Sequence, residues 1–208
     1  RSVARDALRL GMMVRIDGTA DATTGTGTAA AIQVFSELKG LVDSVAADSV
    51  VVAGRTVRLL SNTVRDGFAT LNAGQFVEVY GYFDASSGDF TATRIELKTA
   101  DEFKLRGVVS AWNQTLQQFE LGSSVVAYAG VTLPGGFAIG SSVRVYASAA
   151  PVGNQWQASA VRLSDDDSTS SSSRFEIEGL VSGFVSRGEF RVSGFDVDAL
   201  NATFTDGT

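Results

Sequence analysis

A repeat with a period of about 65 residues constrains this chain more than any other feature. Gly11-Met12-Met13-Val14-Arg15-Ile16-Asp17-Gly18 aligns with Gly74-Gln75-Phe76-Val77-Glu78-Val79-Tyr80-Gly81 and with Gly140-Ser141-Ser142-Val143-Arg144-Val145-Tyr146-Ala147. Each line reads glycine, two residues, then apolar–charged–apolar, the pattern of a strand entered through a glycine turn. Downstream, Ile32-Gln33-Val34, Ile95-Glu96-Leu97 and Val161-Arg162-Leu163 close a second strand. A further motif follows as Leu38-Lys39-Gly40-Leu41-Val42, Leu105-Arg106-Gly107-Val108-Val109 and Ile177-Glu178-Gly179-Leu180-Val181. The first glycine recurs after 63 and 66 residues and the glycine of the last motif after 67 and 72.

One whole copy occupies residues 37–99 and divides into five strand-like stretches: Leu38–Val45, Val50–Ala53, Thr56–Leu60, Phe76–Phe83 and Phe90–Leu97. Gly54-Arg55 and Ser86-Ser87-Gly88-Asp89 punctuate two hairpins. Ser61–Gly74 is a longer crossing with room for a turn of helix, anchored by Val64, Phe68 and Leu71. Three strands, a crossing and two strands is the order of a small OB-like barrel. A meander or sandwich has the same strand count, but about 65 residues are few for two packed sheets. The expected fold is all-β, built of tandem small OB-like five-stranded barrels. Val77 and Val143 are expected in the core and Arg15 and Glu78 on the wet strand face.

The phase of the repeat sets the domain plan. Residues 1–35 hold the last two strands of a copy, residues 37–99 and 101–163 are whole copies, and residues 175–208 hold the first three strands. Residues 164–174 contain Asp165-Asp166-Asp167 followed by a serine run to Ser173, a composition that cannot bury apolar area and reads as a flexible linker. Each half-copy alone is only marginally stable, since it leaves open edges and a wet apolar face. The two halves sum to one further copy, which the same chain, the next chain or missing flanking sequence could complete. The chain opens at Arg1 and reads as trimmed from something longer.

Composition narrows the chemistry. The chain has no cysteine and no histidine, which removes disulfides, thiolates, imidazole metal sites and every triad with an imidazole base. With 17 basic and 23 acidic side chains the net charge is −6, which disfavours nucleic acid and an anionic membrane surface as partners. No apolar run approaches the roughly 18 residues of a membrane-spanning helix.

The remaining candidates read as architecture. Asp196 and Asp198, and likewise Glu176 and Glu178, share one strand face about 7 Å apart, a separation a glycosidase could use. Their apolar partners Phe195, Val197 and Ala199 explain the spacing as a solvated face. Asp165-Asp166-Asp167 lacks the glycine and ligand spacing of a calcium loop. Gly25-Thr26-Gly27-Thr28 resembles a phosphate cradle in outline but lacks a following Lys-Ser/Thr and reads as a hairpin loop. Trp112 aligns with Val45 and Phe184, and Trp156 with Phe90, as core positions do. Tyr80 and Tyr146 alternate with Val79 and Val145. With Tyr82 they form the candidate ligand or partner face, since aromatics on an open OB-like face can stack bases or sugars.

The lines LRLGMMVRIDG, LNAGQFVEVYG, and ELKGLVDSV with EIEGLVSGF resemble the bacterial domain-of-unknown-function family 5666, over nearly the whole chain apart from the serine linker. The resemblance implies tandem OB-like modules in an exported or lipid-anchored envelope protein, hence periplasmic, cell-surface or secreted, with no biochemical activity attached. Ala147, where the other copies close on glycine, departs from the pattern. The expected function is a non-catalytic structural or interaction module with no cofactor, partnered by itself or another envelope protein and self-assembling through its half-copies. The alternative is a binding module for a glycan or oligonucleotide through Tyr80, Tyr82 and Tyr146.

Overall fold

The computed structural model describes residues 8–21, 26–164, 175–186, 188–193 and 195–206, and seventeen strands run through them. The linker segment Asp165–Ser173 lies outside the described residues. The chain forms two compact units, Glu37–Asp166 and a discontinuous one made of Arg1–Ser36 with Asp167–Thr208.

In the continuous unit, β3 (Leu38–Val45), β4 (Ser49–Val52), β5 (Arg55–Asp66), β6 (Phe76–Phe83) and β7 (Phe90–Leu97) form the first ring. The order is β3-β4-β5-β7-β6, closed by β3 against β6, with β5 and β7 parallel. That is the connectivity of an OB-like barrel. Val57, Val77, Val79, Ile95 and Leu38 fill it with no exposed surface.

The second ring uses β8 (Phe103–Asn113), β9 (Gln118–Leu121), β10 (Ser124–Ala127), β11 (Ser142–Ala147), β12 (Gln155–Gln157) and β13 (Ala160–Leu163). Here β10 pairs in parallel with β12, the chain continues into β13, and β13 pairs β11, which pairs β8. No helix occurs among the described residues, which corrects the room left for one in the first crossing. There β5 instead runs on to Asp66 and pairs with β7 beyond a register shift. Thr63 stabilises the shift by accepting from Leu60 N–H (2.8 Å) and donating to Ala92 O (2.7 Å). In the second copy the crossing is a loop held by Phe137, which stacks edge-on against Trp112 and Phe119 at 5.0 Å.

The discontinuous unit repeats the first ring with its strands taken from both parts of the chain. Its members are β1 (Met13–Asp21), β2 (Thr26–Phe35), β14 (Phe175–Ser186), β15 (Glu189–Val192), β16 (Phe195–Asp198) and β17 (Thr203–Asp206). Their order is β1-β14-β15-β16-β2, closed by β1 against β2, with β16 and then β17 parallel to β2. Thr26–Thr28 belongs to β2, so the hairpin-loop reading of that stretch is corrected from Thr26 onward. Val14, Ile32, Val181 and Val192 are fully buried in this ring and Phe190 nearly so.

The repeated glycines fall where backbone geometry requires them. Gly11, Gly74 and Gly140 have φ of 86°, 84° and 90°, a left-handed turn that other residues adopt at a cost. Register shifts at Val42/Ser44, Val109/Ala111 and Val181/Gly183 bend the first strand of each ring at the same place. Just before each bend, a Cβ on Gly40, Gly107 or Gly179 would collide with Ala53, Leu121 or Ser193. Ala147 is accommodated because the facing strand is interrupted there. Ser159 N–H bonds Tyr146 O (2.8 Å), and β12 ends before β13 begins.

Candidate functional site

Inside the continuous unit the two rings are joined by strand pairing. The first half of β3 pairs with β6 on one edge and with β8 on the other, giving an unbroken antiparallel run β6-β3-β8-β11. Side chains in one row of an antiparallel sheet share a face. One row is Val79, Leu38, Leu105 and Val145, all fully buried. The next row is Glu78, Lys39, Lys104 and Tyr146, on the opposite face. On the other side of the apolar row, Glu37 N–H bonds Val79 O (2.9 Å) and Arg106 N–H bonds Glu37 O (3.1 Å), which sets Glu37 beside Arg106 and, next to it on β11, Arg144.

These polar rows form an ion-pair seam. Glu37 is 1% exposed, and its Oε1 accepts from Arg106 Nη1 at 3.0 Å and Arg144 Nη2 at 3.3 Å. Arg106 also lies over the Phe83 ring (5.5 Å), and the Lys104 ammonium over the Tyr146 ring (5.3 Å). Lys39 bridges Glu78 (3.7 Å) and Asp101 (3.4 Å), and Lys98 bridges Glu78 (3.7 Å) and Glu96 (2.5 Å). Arg94 pairs with Glu96 and Asp66. Arg55 reaches from β5 of the first ring to the Leu121 carbonyl of the second, and burial lowers its pKa against the opposing pull of Asp89.

The seam corrects two expectations. Glu78, read as a wet-face charge, is 8% exposed, because the rows beside it hold two ammonium groups against its carboxylate. Tyr80 and Tyr146, expected to present a binding face, are 5% and 2% exposed, and Tyr82 alone of the three reaches solvent, at 53%. Trp156 is in the core as expected, and Trp112 packs partly buried against it with its indole N–H on Tyr128 Oη (2.9 Å). Glu37 was not singled out by sequence. A signal was nevertheless there: aligned positions alternate in sign through the copies, as Arg15, Glu78, Arg144 and as Glu37, Lys104, Glu176.

The carboxylate candidates on β16 are engaged locally. Asp196 pairs with Arg191 (2.5 Å), whose hydrogen bond holds that carboxyl below its usual range, and Asp198 accepts from Leu200 N–H (3.0 Å). Both border an open cavity of about 320 Å³ with Glu189, Ser186, Thr26 and Leu200. The side chains of Glu176 and Glu178 lie outside the described set. Among the described residues no group of three or more acidic side chains is arranged to hold a metal ion. Nor is any helix there long and apolar enough to cross a membrane. The arrangement is that of an all-β module whose described charged side chains are mostly engaged with one another.

No curated protein and no solved structure matches the chain. Residues 39–96, the first ring of the continuous unit almost from end to end, match the family described as "Domain of unknown function (DUF5666)".

Proposed function

We propose that this chain is a structural or interaction module of an exported bacterial envelope protein, acting through protein contacts, whose two half-copies complement each other within one molecule. The observation that carries the reading is the antiparallel register of β1 with β14, from Met13↔Leu180 to Gly18↔Phe175. It is supported by β16 and β17 lying parallel to β2, the pairing that closes β5 on β7 in the first whole copy. Closed rings leave few strand edges for unwanted pairing, which suits a spacer or assembly unit. The envelope address is what the resemblance to this family implies, and the match of residues 39–96 to the family supports the resemblance.

A cross-strand disulfide tests it, because the chain has no cysteine of its own. Val181 N–H bonds Met12 O, so alternate pairs, Asp17↔Glu176 among them, are of the closer, non-hydrogen-bonded kind. Their Cα separation of about 4.5 Å suits a disulfide. The Asp17→Cys/Glu176→Cys chain, oxidised in dilute solution, is expected to form an intramolecular bond and keep the mass of one chain. Absence of that bond, or disulfide-linked dimers only, would overturn the reading.

A further inference from the structure

The pairing that closes the discontinuous unit does not depend on its two parts belonging to one chain. We infer that this unit can open by itself and re-form with a second copy of the chain, each copy supplying the half-ring that the other lacks; the inference rests on the complementation reading above.

Three observations carry it. First, the unit is assembled from Arg1–Ser36 and Asp167–Thr208, and among the described residues the two parts are joined by strand pairing, β1 with β14 and β16 and β17 with β2, around an apolar core to which both contribute. Among the described residues, the covalent path from one part to the other runs through the whole of the continuous unit. Opening these pairings therefore leaves both rings of Glu37–Asp166 closed.

Second, the continuous unit brings its own first and last strands together. Arg144 donates from Nη2 to Glu37 at its start and from Nη1 to the Ser164 carbonyl at its end, each at 3.3 Å. Ser164 is further tied to Ser142 through N–H to O (2.8 Å) and through the hydroxyls (3.0 Å). Strands β3 and β13 stand three sheet steps apart in the order β3-β8-β11-β13, about 14 Å at ~4.8 Å a step. The half-rings are thus tethered at close range, and closure within the chain is favoured at low concentration by an effective concentration on the order of 1 mM.

Third, the two halves differ, one supplying two strands, β1 and β2, and the other four, β14 to β17. Two first halves cannot complete each other, and the second copy must offer its opposite half. Such a heterologous contact makes a closed pair of chains or a longer row. The contacts made between chains are those made within one, so only tether concentration against chain concentration decides between them.

The test mixes full chains carrying Asp17→Cys with full chains carrying Glu176→Cys. The mixture is held in denaturant just sufficient to open the discontinuous unit, returned to buffer and oxidised. A disulfide between residues 17 and 176 now requires exchange. Its yield is expected to rise roughly fiftyfold between about 10 µM and about 1 mM chain. The unsubstituted chain, taken through the same cycle, should gain species of two or more chains by light scattering. A yield that does not rise with concentration, or that stays at the level given by either single variant alone, overturns the exchange. If the double-cysteine chain has already formed its intramolecular bond, closure within the chain stands and exchange alone falls. If it has not, the complementation reading itself has failed.

Discussion

Arg144 and Glu37 lie 107 residues apart in the chain and share a buried hydrogen bond, Nη2 to Oε1 at 3.3 Å. The same guanidinium holds the Ser164 carbonyl. One side chain thus binds both ends of a two-barrel segment, which in the sequence interrupts the two parts of a third ring. An insertion is tolerated where its ends are close together, and this contact is part of what keeps them so.

Removing the Glu37 carboxylate leaves the buried Arg144 beside the half-buried Arg106 without their shared counter-charge. Glu37→Ala is expected to cost about 3–5 kcal/mol, the range for breaking a buried ion pair from one side. Urea unfolding of the continuous unit measures it. A loss under about 1 kcal/mol would mean that the seam contributes no more than an exposed ion pair.

Val77 and Glu78 are neighbours on opposite faces of β6, and both are now expected to matter. Val77→Ala should cost about 2 kcal/mol through lost methyl burial. Glu78→Ala should cost about 1–3 kcal/mol, since it strips Lys39 and Lys98 of a partner within 3.7 Å. Chemical denaturation of the two variants side by side checks this. A neutral Glu78→Ala would return that residue to the wet face.

A Cβ on Gly81 would overlap the Thr91 carbonyl oxygen of the facing strand, whereas one on Gly54 meets nothing within 4 Å. Gly54→Ala should therefore cost only the left-handed turn at φ 76°, about 1 kcal/mol. Gly81→Ala should cost more than about 3 kcal/mol, because the strand pair must separate to admit the methyl. Thermal melts that rank the pair the other way would contradict the register of β6 with β7.

Asp84 heads the β6–β7 hairpin. The Ser86 hydroxyl (2.6 Å) and backbone N–H (2.8 Å) donate to its carboxylate and hold its pKa below the usual value. A carboxyl lowered by folding contributes stability that is complete above its unfolded pKa of about 3.9 and is lost as pH falls through the folded value. Protection against hydrogen exchange at the hairpin, taken relative to the intrinsic rate at each pH, should therefore fall below about pH 4, and Asp84→Asn should abolish that fall. An unchanged pH profile in the variant would assign the effect elsewhere.

Much of the first ring was legible because its signals are local. Alternation over Phe76–Phe83 and Phe90–Leu97 predicts the strands that form, with the same bounds. Glycines at 11, 74 and 140 mark turns whose φ only glycine adopts without strain. The boundary that failed, the end of β5, depends on a partner elsewhere: Thr63 bonds the Ala92 carbonyl, 29 residues away, and no local pattern announces it.

The fate of the outward faces was decided by tertiary structure. Period two places Tyr80, Glu78 and Tyr146 opposite the core valines, and that much is correct. Whether such a face meets water depends on which strands lie beside it, and the pairing of Leu38 with Leu105 is long-range. Once β3 joins β8, charges that alternate harmlessly in sequence become each other's neighbours, and the row fills with ion pairs in place of solvent. The sequence by itself determined the repeat, its strands and its glycine turns, because these are properties of contiguous residues. Only the tertiary structure decided that the half-copies share a ring and that a charged strand face is buried, because both depend on pairing between strands far apart in the chain.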